Sequence, residues 1–320
     1  MKESKQEYLQ NVLETYRMSH IADLEKKHKS KRDDIKELLE KKFTENIYSP
    51  INSGSFAKHT AINIKFDLDI AIPFKRDSFD TLENMFGNVY NFINDKYQNE
   101  ATIRSQKVSI GIEFLPDKEG DIVSLDIVPG RELNKDQYPD DKNMNLYVNS
   151  KYGMIKEKTY IQTNIQAQIN HIKAKENERK IIRLLKIWKN SNNEKYKSFL
   201  LELLTIKAFE KENISGNLWD KLTLVMQYIQ NNVVNESFTL TDPGNCNNNV
   251  IDTLDYFERE VLSNRMKVII NNIDHNEENI KIYFPVNTQF NPDKSSSVEG
   301  YGIKTVGVVS SIPPNNQRFG

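Results

Sequence analysis

Two aspartates, Asp67 and Asp69, stand two positions apart in an apolar stretch that continues through residues 70–73. Side chains alternate between the faces of a strand, so both carboxylates are predicted on one face while Leu68 and Ile70 face a core. Neighbouring carboxylates in apolar surroundings repel each other and lose hydration, and a bound cation removes that cost. Oxygen ligands alone favour Mg²⁺ or Mn²⁺ over zinc. The alternative is an exposed edge strand with two solvated aspartates, because so short a motif is weakly specific.

A third carboxylate strengthens the cation hypothesis. Asp126 lies in the middle of a second apolar, β-branched run at residues 122–128, on the face opposite Leu125 and Ile127. Two neighbouring strands with acids on one face predict a shared metal site. Before them comes a turn at Gly54 and Ser55, whose backbone N–H groups and hydroxyl can hold a phosphate group.

This series resembles the polymerase-beta-like nucleotidyltransferase superfamily. More narrowly, the chain is similar to the oligoadenylate synthase and cyclic GMP–AMP synthase branch, and within it to bacterial cyclic-oligonucleotide synthases, the CD-NTases. The resemblance implies an α+β fold: a nucleotidyltransferase core with a mixed β-sheet, a long N-terminal helix and an α-helical C-terminal lobe. It also implies that Asp67, Asp69 and Asp126 are catalytic and hold two Mg²⁺ ions, with Mn²⁺ able to substitute, and that Gly54 and Ser55 bind nucleotide.

The C-terminal half contains two further elements that match this branch. Lys186 interrupts an apolar helical stretch, and Ser198-Phe199 opens a Leu-rich segment. From the residues alone, Lys186 reads as a lysine that extends to solvent and Ser198 as a helix cap. The resemblance implies instead that Lys186 and Ser198 contact the β- and γ-phosphates and that Phe199 stacks on the donor base.

The segment from Thr241 to Val250 resembles the Asp-Pro…Asn-Asn loop of the same branch. Taken alone, it predicts only a turn and an Asx-capped helix start.

Periodicity and turn signals predict the remaining elements. Residues 3–45 predict one long helix or two with a break near His28, and a hairpin joins a strand at 102–115 to the Asp126 strand. Basic residues 26–32 indicate a solvated helix face or a nucleic-acid patch. Further helices are predicted at 57–63, 79–97, 161–175, 177–190, 198–211, 218–233 and 250–270.

The sequence predicts two structural units. The first, residues 1–155, contains the N-terminal helix and the core, and the second, residues 156–320, is the helical lobe with a flexible tail.

Composition limits the classes of partner. The 320-residue chain has a formal net charge of −1, which argues against a protein that coats nucleic acid. Cys246 is the only cysteine, so an intramolecular disulfide is excluded and a reducing compartment is compatible. The sequence shows neither a signal peptide nor a long apolar run, which predicts a cytoplasmic protein without a membrane partner.

The combined prediction is a nucleotidyltransferase that makes a cyclic di- or oligonucleotide second messenger from nucleoside triphosphates. Through the resemblance, this implies anti-phage (CBASS) signalling, a downstream effector that senses the product, and a ubiquitin-like partner that conjugates the chain through Gly320. Nucleic acid is not required. The alternatives are a transferase that adds nucleotides to an RNA or protein acceptor, and a catalytically silent nucleic-acid-sensing scaffold.

Overall fold

The computed structural model describes residues 3–149 and 159–291. Its α-helices are α1 (Lys5–Thr15), α2 (Ala22–Phe43), α3 (Gly54–Ala57), α4 (Leu82–Tyr97), α5 (Tyr138–Asp141), α6 (Ile165–Ile172), α7 (Glu176–Ser191), α8 (Ser198–Lys211), α9 (Leu218–Asn232), α10 (Tyr256–His275) and α11 (Ile280–Tyr283). Its strands are β1 (Ile51–Ser53), β2 (Leu68–Phe74), β3 (Ala101–Ser105), β4 (Ile110–Phe114), β5 (Ser124–Glu132), β6 (Met144–Tyr147), β7 (Tyr160–Thr163), β8 (Thr241–Asp242) and β9 (Asn245–Asn249).

One mixed sheet of seven strands forms the core of the described N-terminal half. The strand order is β1-β2-β5-β4-β3, and β6 continues from the second half of β5 to β7. The β2–β5 pair is parallel, whereas the other neighbours are antiparallel. β2 is therefore an interior strand, so the alternative of an exposed edge strand for the two aspartates is wrong.

The sheet face opposite the aspartates carries the first hydrophobic core. Leu68 and Ile70 of β2 and Leu125 and Ile127 of β5 are buried there against α2 and α4. The continuous apolar run of β2 suits a strand that is covered on both sides. Because this face is filled by helices, the carboxylates of the same strands are directed to the other side of the sheet.

The N-terminal helical segment braces both halves of the molecule. α1 packs into the core of the helical lobe, and α2 packs behind the sheet. The predicted break near His28 is wrong, because the chain bends at residues 16–21, where a 3₁₀ turn separates the two helices.

His28 is buried in mid-helix, and its Nε2 accepts a hydrogen bond of 3.1 Å from the Ser124 backbone N–H. Burial lowers the pKa of His28, which favours this neutral, accepting state.

The helices α7 to α10 form the second hydrophobic core, together with α1. Side-chain caps fix several helix starts, including reciprocal capping boxes at Ser4, Asn217 and Asp255. The cap at Asp255 explains why the helix predicted from residue 250 begins only at Tyr256, after a 3₁₀ turn. Likewise, residues 160–163 form β7 instead of a helix start. The helix predicted at 57–63 is wrong, because the short helix α3 spans Gly54–Ala57 and residues 58–63 are not helical.

The predicted strand at 102–115 is two strands, β3 and β4, separated by a turn. The predicted hairpin of β4 with β5 is confirmed. Lysines of the basic segment in α2 pair with acids, as Lys27 does with Asp117 and Asp121, so the segment is a solvated helix face.

The predicted boundary at residue 155 and the tail that ends in Gly320 lie outside the described residues. The division into units 1–155 and 156–320 stays a prediction.

Candidate active site

The three predicted carboxylates come together at the centre of the sheet. Asp69 of β2 and Asp126 of β5 are register partners on parallel neighbouring strands. Asp67 lies two positions before Asp69, immediately ahead of β2. Three carboxylates on one sheet face are an oxygen-only donor set, which fits Mg²⁺ or Mn²⁺ better than zinc.

Gly54 is required at its position by the approach of Asp69. β1 pairs with β2 so that Ser53 is the partner of Asp69, and Gly54 follows with a φ of +65°. A Cβ on Gly54 would lie 1.6 Å from Asp69 Oδ2. Only glycine fits this contact and this backbone conformation without strain. The Gly-Ser turn is thereby held directly against the carboxylates.

Asp126 is fully buried, and a glutamine that the sequence analysis missed positions it. Gln106 Nε2 donates to Asp126 Oδ1 at 3.2 Å, and Ser109 Oγ donates to Gln106 Oε1 at 2.7 Å. Gly111, the register partner of Asp126 on β4, leaves the space for this amide, since a Cβ there would lie 2.4 Å from Gln106 Nε2. In the predicted hairpin, Gly111 lies opposite Asp126, and this pairing is the sequence signal that could have identified the arrangement.

The opposite wall of the cleft comes from the helical lobe. Lys186 of α7 is buried, and its Nζ donates to the Thr60 backbone carbonyl at 2.9 Å. Burial lowers the pKa of Lys186 to about 8. Lys186 therefore does not extend to solvent; it crosses to the segment that follows the Gly-Ser turn.

Ser198 is the first residue of α8 and accepts a hydrogen bond of 3.1 Å from Lys189 Nζ. Lys197 is the N-cap residue of α8, so the alternative role of Ser198 as the helix cap is wrong. Burial, followed by the charges of Lys186 and Lys65, lowers the pKa of Lys189 to about 8. Lys189 is a second cation beside the predicted Lys186, and the sequence analysis did not single it out.

A buried ion pair joins the two walls. Lys58, in the segment after the Gly-Ser turn, donates to Glu202 Oε1 of α8 at 2.9 Å, and the side chains are only 8% and 7% exposed. Lys58 Nζ also lies 4.5 Å from the ring centroid of Phe199. The partners are 144 positions apart, so nothing local in the sequence links them. The stacking role of Phe199 stays a prediction; the ring is 9% exposed and lies against the lysine.

A cavity of about 200 Å³ between these walls is lined by seven of the eight predicted site residues. The eighth, Asp126, lies beneath the surface beside Asp69. Among the described lining residues, five lysines outnumber three carboxylates: Lys58, Lys65, Lys186, Lys189 and Lys197 against Asp67, Asp69 and Glu202. Although the whole chain is nearly neutral, this cleft is positively charged and suits a polyanionic ligand.

The Asp-Pro…Asn-Asn segment forms the β8–β9 hairpin, which supports a residue that lines the cleft. Asp242 is buried and accepts hydrogen bonds from the Gly244 backbone and from Gln168 Nε2, at 2.7 and 3.0 Å. Gln168 in turn lines the cleft, so the hairpin holds α6 in place. Cys246 is an exposed free cysteine on this hairpin.

Another group of carboxylates lies in the turn between β4 and β5 and does not line the cleft. Asp117, Glu119 and Asp121 place ligand atoms within 4.8 Å of one another, close enough for a metal. Lys27 Nζ donates to all three, and this raises the pKa of the lysine. The ammonium group offsets one of the three negative charges and occupies the position that a metal ion would take, so this cluster is not assigned as a metal site.

No helix within residues 3–149 and 159–291 has the length and apolar character needed to cross a membrane.

Solved structures with the same architecture are bacterial CD-NTases. CdnC from E. coli MS115-1, solved in complex with HORMA-deltaN, is 18% identical over 90% of this chain and 95% of that chain, with a TM-score of 0.66. The same CdnC was also solved with ATP. CdnG from Bradyrhizobium diazoefficiens, in complex with GTP, is 12% identical over 80% of this chain and 88% of its own, with a TM-score of 0.63.

DncV, a cyclic AMP-GMP synthase from Vibrio cholerae, is 12% identical over 75% of this chain and 69% of its own, with a TM-score of 0.56. No protein-family model matches this sequence, and no curated protein matches it. The chain has the CD-NTase fold, an α+β nucleotidyltransferase fold with a mixed sheet. The predicted fold class and the predicted resemblance are confirmed at this level.

Proposed function

We propose that the chain is a nucleotidyltransferase that joins nucleoside triphosphates into a cyclic di- or oligonucleotide. The observation that carries the proposal is the contact of Gly54 with Asp69. It holds a Gly-Ser turn against the in-register pair Asp69 and Asp126, opposite a wall of buried lysines. A phosphate-binding turn, acids for the reacting centre and cations for the leaving group are the three parts that phosphoryl transfer needs.

The proposed reaction uses these positions as follows. The 2′- or 3′-hydroxyl of one nucleotide attacks the α-phosphorus of another, an O–P bond forms, and the bond to the β-phosphate breaks to release pyrophosphate. The hydroxyl proton passes to Asp126, which Gln106 orients. Ser55, Lys186, Lys189 and Ser198 grip the triphosphate across the cleft. Two divalent ions, Mg²⁺ or Mn²⁺, held by Asp67, Asp69 and Asp126, would neutralise the triphosphate and acidify the attacking hydroxyl.

Cyclisation requires a second transfer after the first product rebinds in the turned orientation. The proposal takes this step from the fold's relatives, since DncV is a cyclic AMP-GMP synthase. From the resemblance seen in the sequence, we infer that the product serves anti-phage signalling through an effector that senses cyclic nucleotides.

The test uses the purified chain with all four nucleoside triphosphates and Mg²⁺ or Mn²⁺, followed by phosphatase treatment and mass spectrometry. A phosphatase-resistant cyclic product is expected, and its mass identifies the bases and the ring size. Only linear products would replace the cyclic synthase with an oligonucleotide synthase. Turnover that appears only with an added RNA or protein would favour transfer to a macromolecular acceptor, and no turnover under any condition would favour a silent scaffold.

A further inference from the structure

A second cavity lies behind the segment that forms one wall of the cleft. Its volume is about 580 Å³, and Phe56, His59 and Ala61 contribute to its lining. The intervening residues of the same segment, including Lys58 and Thr60, line the cleft. Residues 54–62 therefore separate two cavities and present alternate side chains to each.

The second cavity is strongly cationic. Four of its described lining residues are permanently or normally charged bases: Arg17, Lys180, Arg183 and Lys221. Glu14 is the single carboxylate among the described lining residues, and it pairs with Arg17. Lys221 donates to the neutral amide of Asn177, which leaves its charge uncompensated. At least three positive charges thus surround one concave space without a balancing acid among the described residues that line it.

Arg183 is the most informative of these residues. Its Nε is buried and has no hydrogen-bond partner among the described residues. Burial lowers the pKa of Arg183, and the neighbouring charges of Arg179 and Arg17 lower it further. A desolvated guanidinium that is surrounded by like charge is costly, and an anion that accepts its N–H groups removes the cost. Arg183 also lines the cavity, so an anion bound there would offset this cost.

Two further features fit an anionic ligand. The 15-residue helix α9 begins at the cavity, where Asn217 and Leu218 line it. The positive end of a helix dipole adds to the attraction for negative charge. The space is a cavity and the chain as a whole carries a net charge of −1, which favours a small ligand over the backbone of a long nucleic acid.

We propose that this second cavity binds a small, multiply charged anion bearing phosphate groups, held by Arg183, Lys180 and Lys221. The site is separate from the cleft, and it does not depend on the proposed nucleotidyl transfer.

Isothermal titration with inorganic tripolyphosphate in EDTA tests the proposal on the full chain. Because the cleft also attracts polyphosphate, wild type is expected to show two binding events. Arg183→Met should remove or weaken one event at least tenfold, and Lys189→Met, in the cleft, should weaken the other. Lys180→Met changes an exposed residue, so it keeps the test valid if Arg183→Met fails to fold.

Lys267→Met is the matched control, because it removes an exposed lysine on α10 that lies outside both cavities. It should retain both events with unchanged affinity. A titration in which Arg183→Met and Lys180→Met bind tripolyphosphate as wild type does would overturn the proposal. Binding of a short DNA duplex that needs Arg183, without any second tripolyphosphate event, would also overturn it, because the partner would then be nucleic acid.

Discussion

The two cavities share one wall but differ in how their most buried cations are satisfied. In the cleft, three lysines have internal partners: Lys58 pairs with Glu202, Lys186 bonds to the Thr60 carbonyl, and Lys189 bonds to Ser198. In the second cavity, Arg183 has a buried Nε without a partner among the described residues. The cleft is preorganised and holds its charges in place before a ligand arrives, which is the condition for electrostatic catalysis. The second cavity has the charges of a binding site that its ligand completes.

Asp126→Asn should produce the largest effect. Loss of activity in this variant would show that the reaction takes place in the cleft. The amide keeps the shape and can still bond to Gln106, but it cannot accept the proton or supply a full negative charge. We expect turnover to fall by about 10³-fold or more, with the thermal midpoint unchanged or raised. Product formation by mass spectrometry and thermal denaturation measure the two quantities.

Asp117→Asn is the control for this change, because it makes the same chemical substitution in an exposed acidic cluster outside the cleft. Full activity in Asp126→Asn would refute the role of the carboxylate and, with it, the assignment of the metal ligands.

Lys58→Met, in the cleft, should have the next largest effect. It should lower the stability of the protein, whereas Arg183→Met, in the second cavity, should not. The substitution leaves Glu202 buried without its cation, which costs about 3–5 kcal/mol of unfolding free energy. The double variant Lys58→Met/Glu202→Met should recover much of this loss. Arg183→Met should instead leave the anion-free protein as stable or more stable, because it removes a cation whose buried Nε has no hydrogen-bond partner among the described residues. Urea denaturation of the four proteins measures these differences.

An equal loss of stability in Lys58→Met and Arg183→Met would contradict this comparison. It would show that both cations stabilise the folded protein through partners within the chain.

The sequence predicted the carboxylates and the Gly-Ser turn because their signals are local. Strand periodicity put Asp67 and Asp69 on one face, and the apolar run around Asp126 identified a neighbouring strand. The predicted cations were less complete, since Lys186 came from a resemblance and Lys189 was not singled out. The Lys58–Glu202 pair joins residues that only the folded chain brings together. The same limit applies to the second cavity, whose bases come from the segment after α1 and from α7 and α9, which are separate in the sequence.

Lys189→Met should weaken binding of the triphosphate without affecting the second cavity. One lost cation at a phosphate corresponds to about a tenfold weaker affinity, or 1.4 kcal/mol. Ser198→Ala should have a smaller effect, because Ser198 contributes a neutral hydroxyl and orients Lys189. Titration with ATP in EDTA measures both affinities, and Lys180→Met serves as the control from the second cavity. Because the phosphate groups of ATP also suit the second cavity, two binding events are expected, and the control is judged on the event that Lys189→Met weakens. If Lys180→Met weakened that same event as strongly, the assignment of the cleft as the triphosphate site would be wrong.

The smallest expected effect is a dependence on pH. Raising the pH should weaken ATP binding but increase the free energy of unfolding. The pKa values of Lys186 and Lys189 are about 8, so raising the pH through this value removes the charges that attract a triphosphate. Each lysine should weaken ATP binding roughly threefold between about pH 7.5 and 8.5 if the bound ligand keeps it protonated. The unfolded chain binds more protons than the folded chain between about pH 8 and pH 10.5, so the unfolding free energy should rise over that range.

Titrations with ATP and denaturation curves at matched pH values measure the two trends, and Lys189→Met should reduce both. Arg183 stays charged throughout this interval, because a guanidinium titrates far above it. Tripolyphosphate binding in the second cavity should therefore not weaken as ATP binding in the cleft does. Parallel weakening at both cavities would show that the ligand or a shared conformational change, and not the cleft lysines, carries the pH dependence.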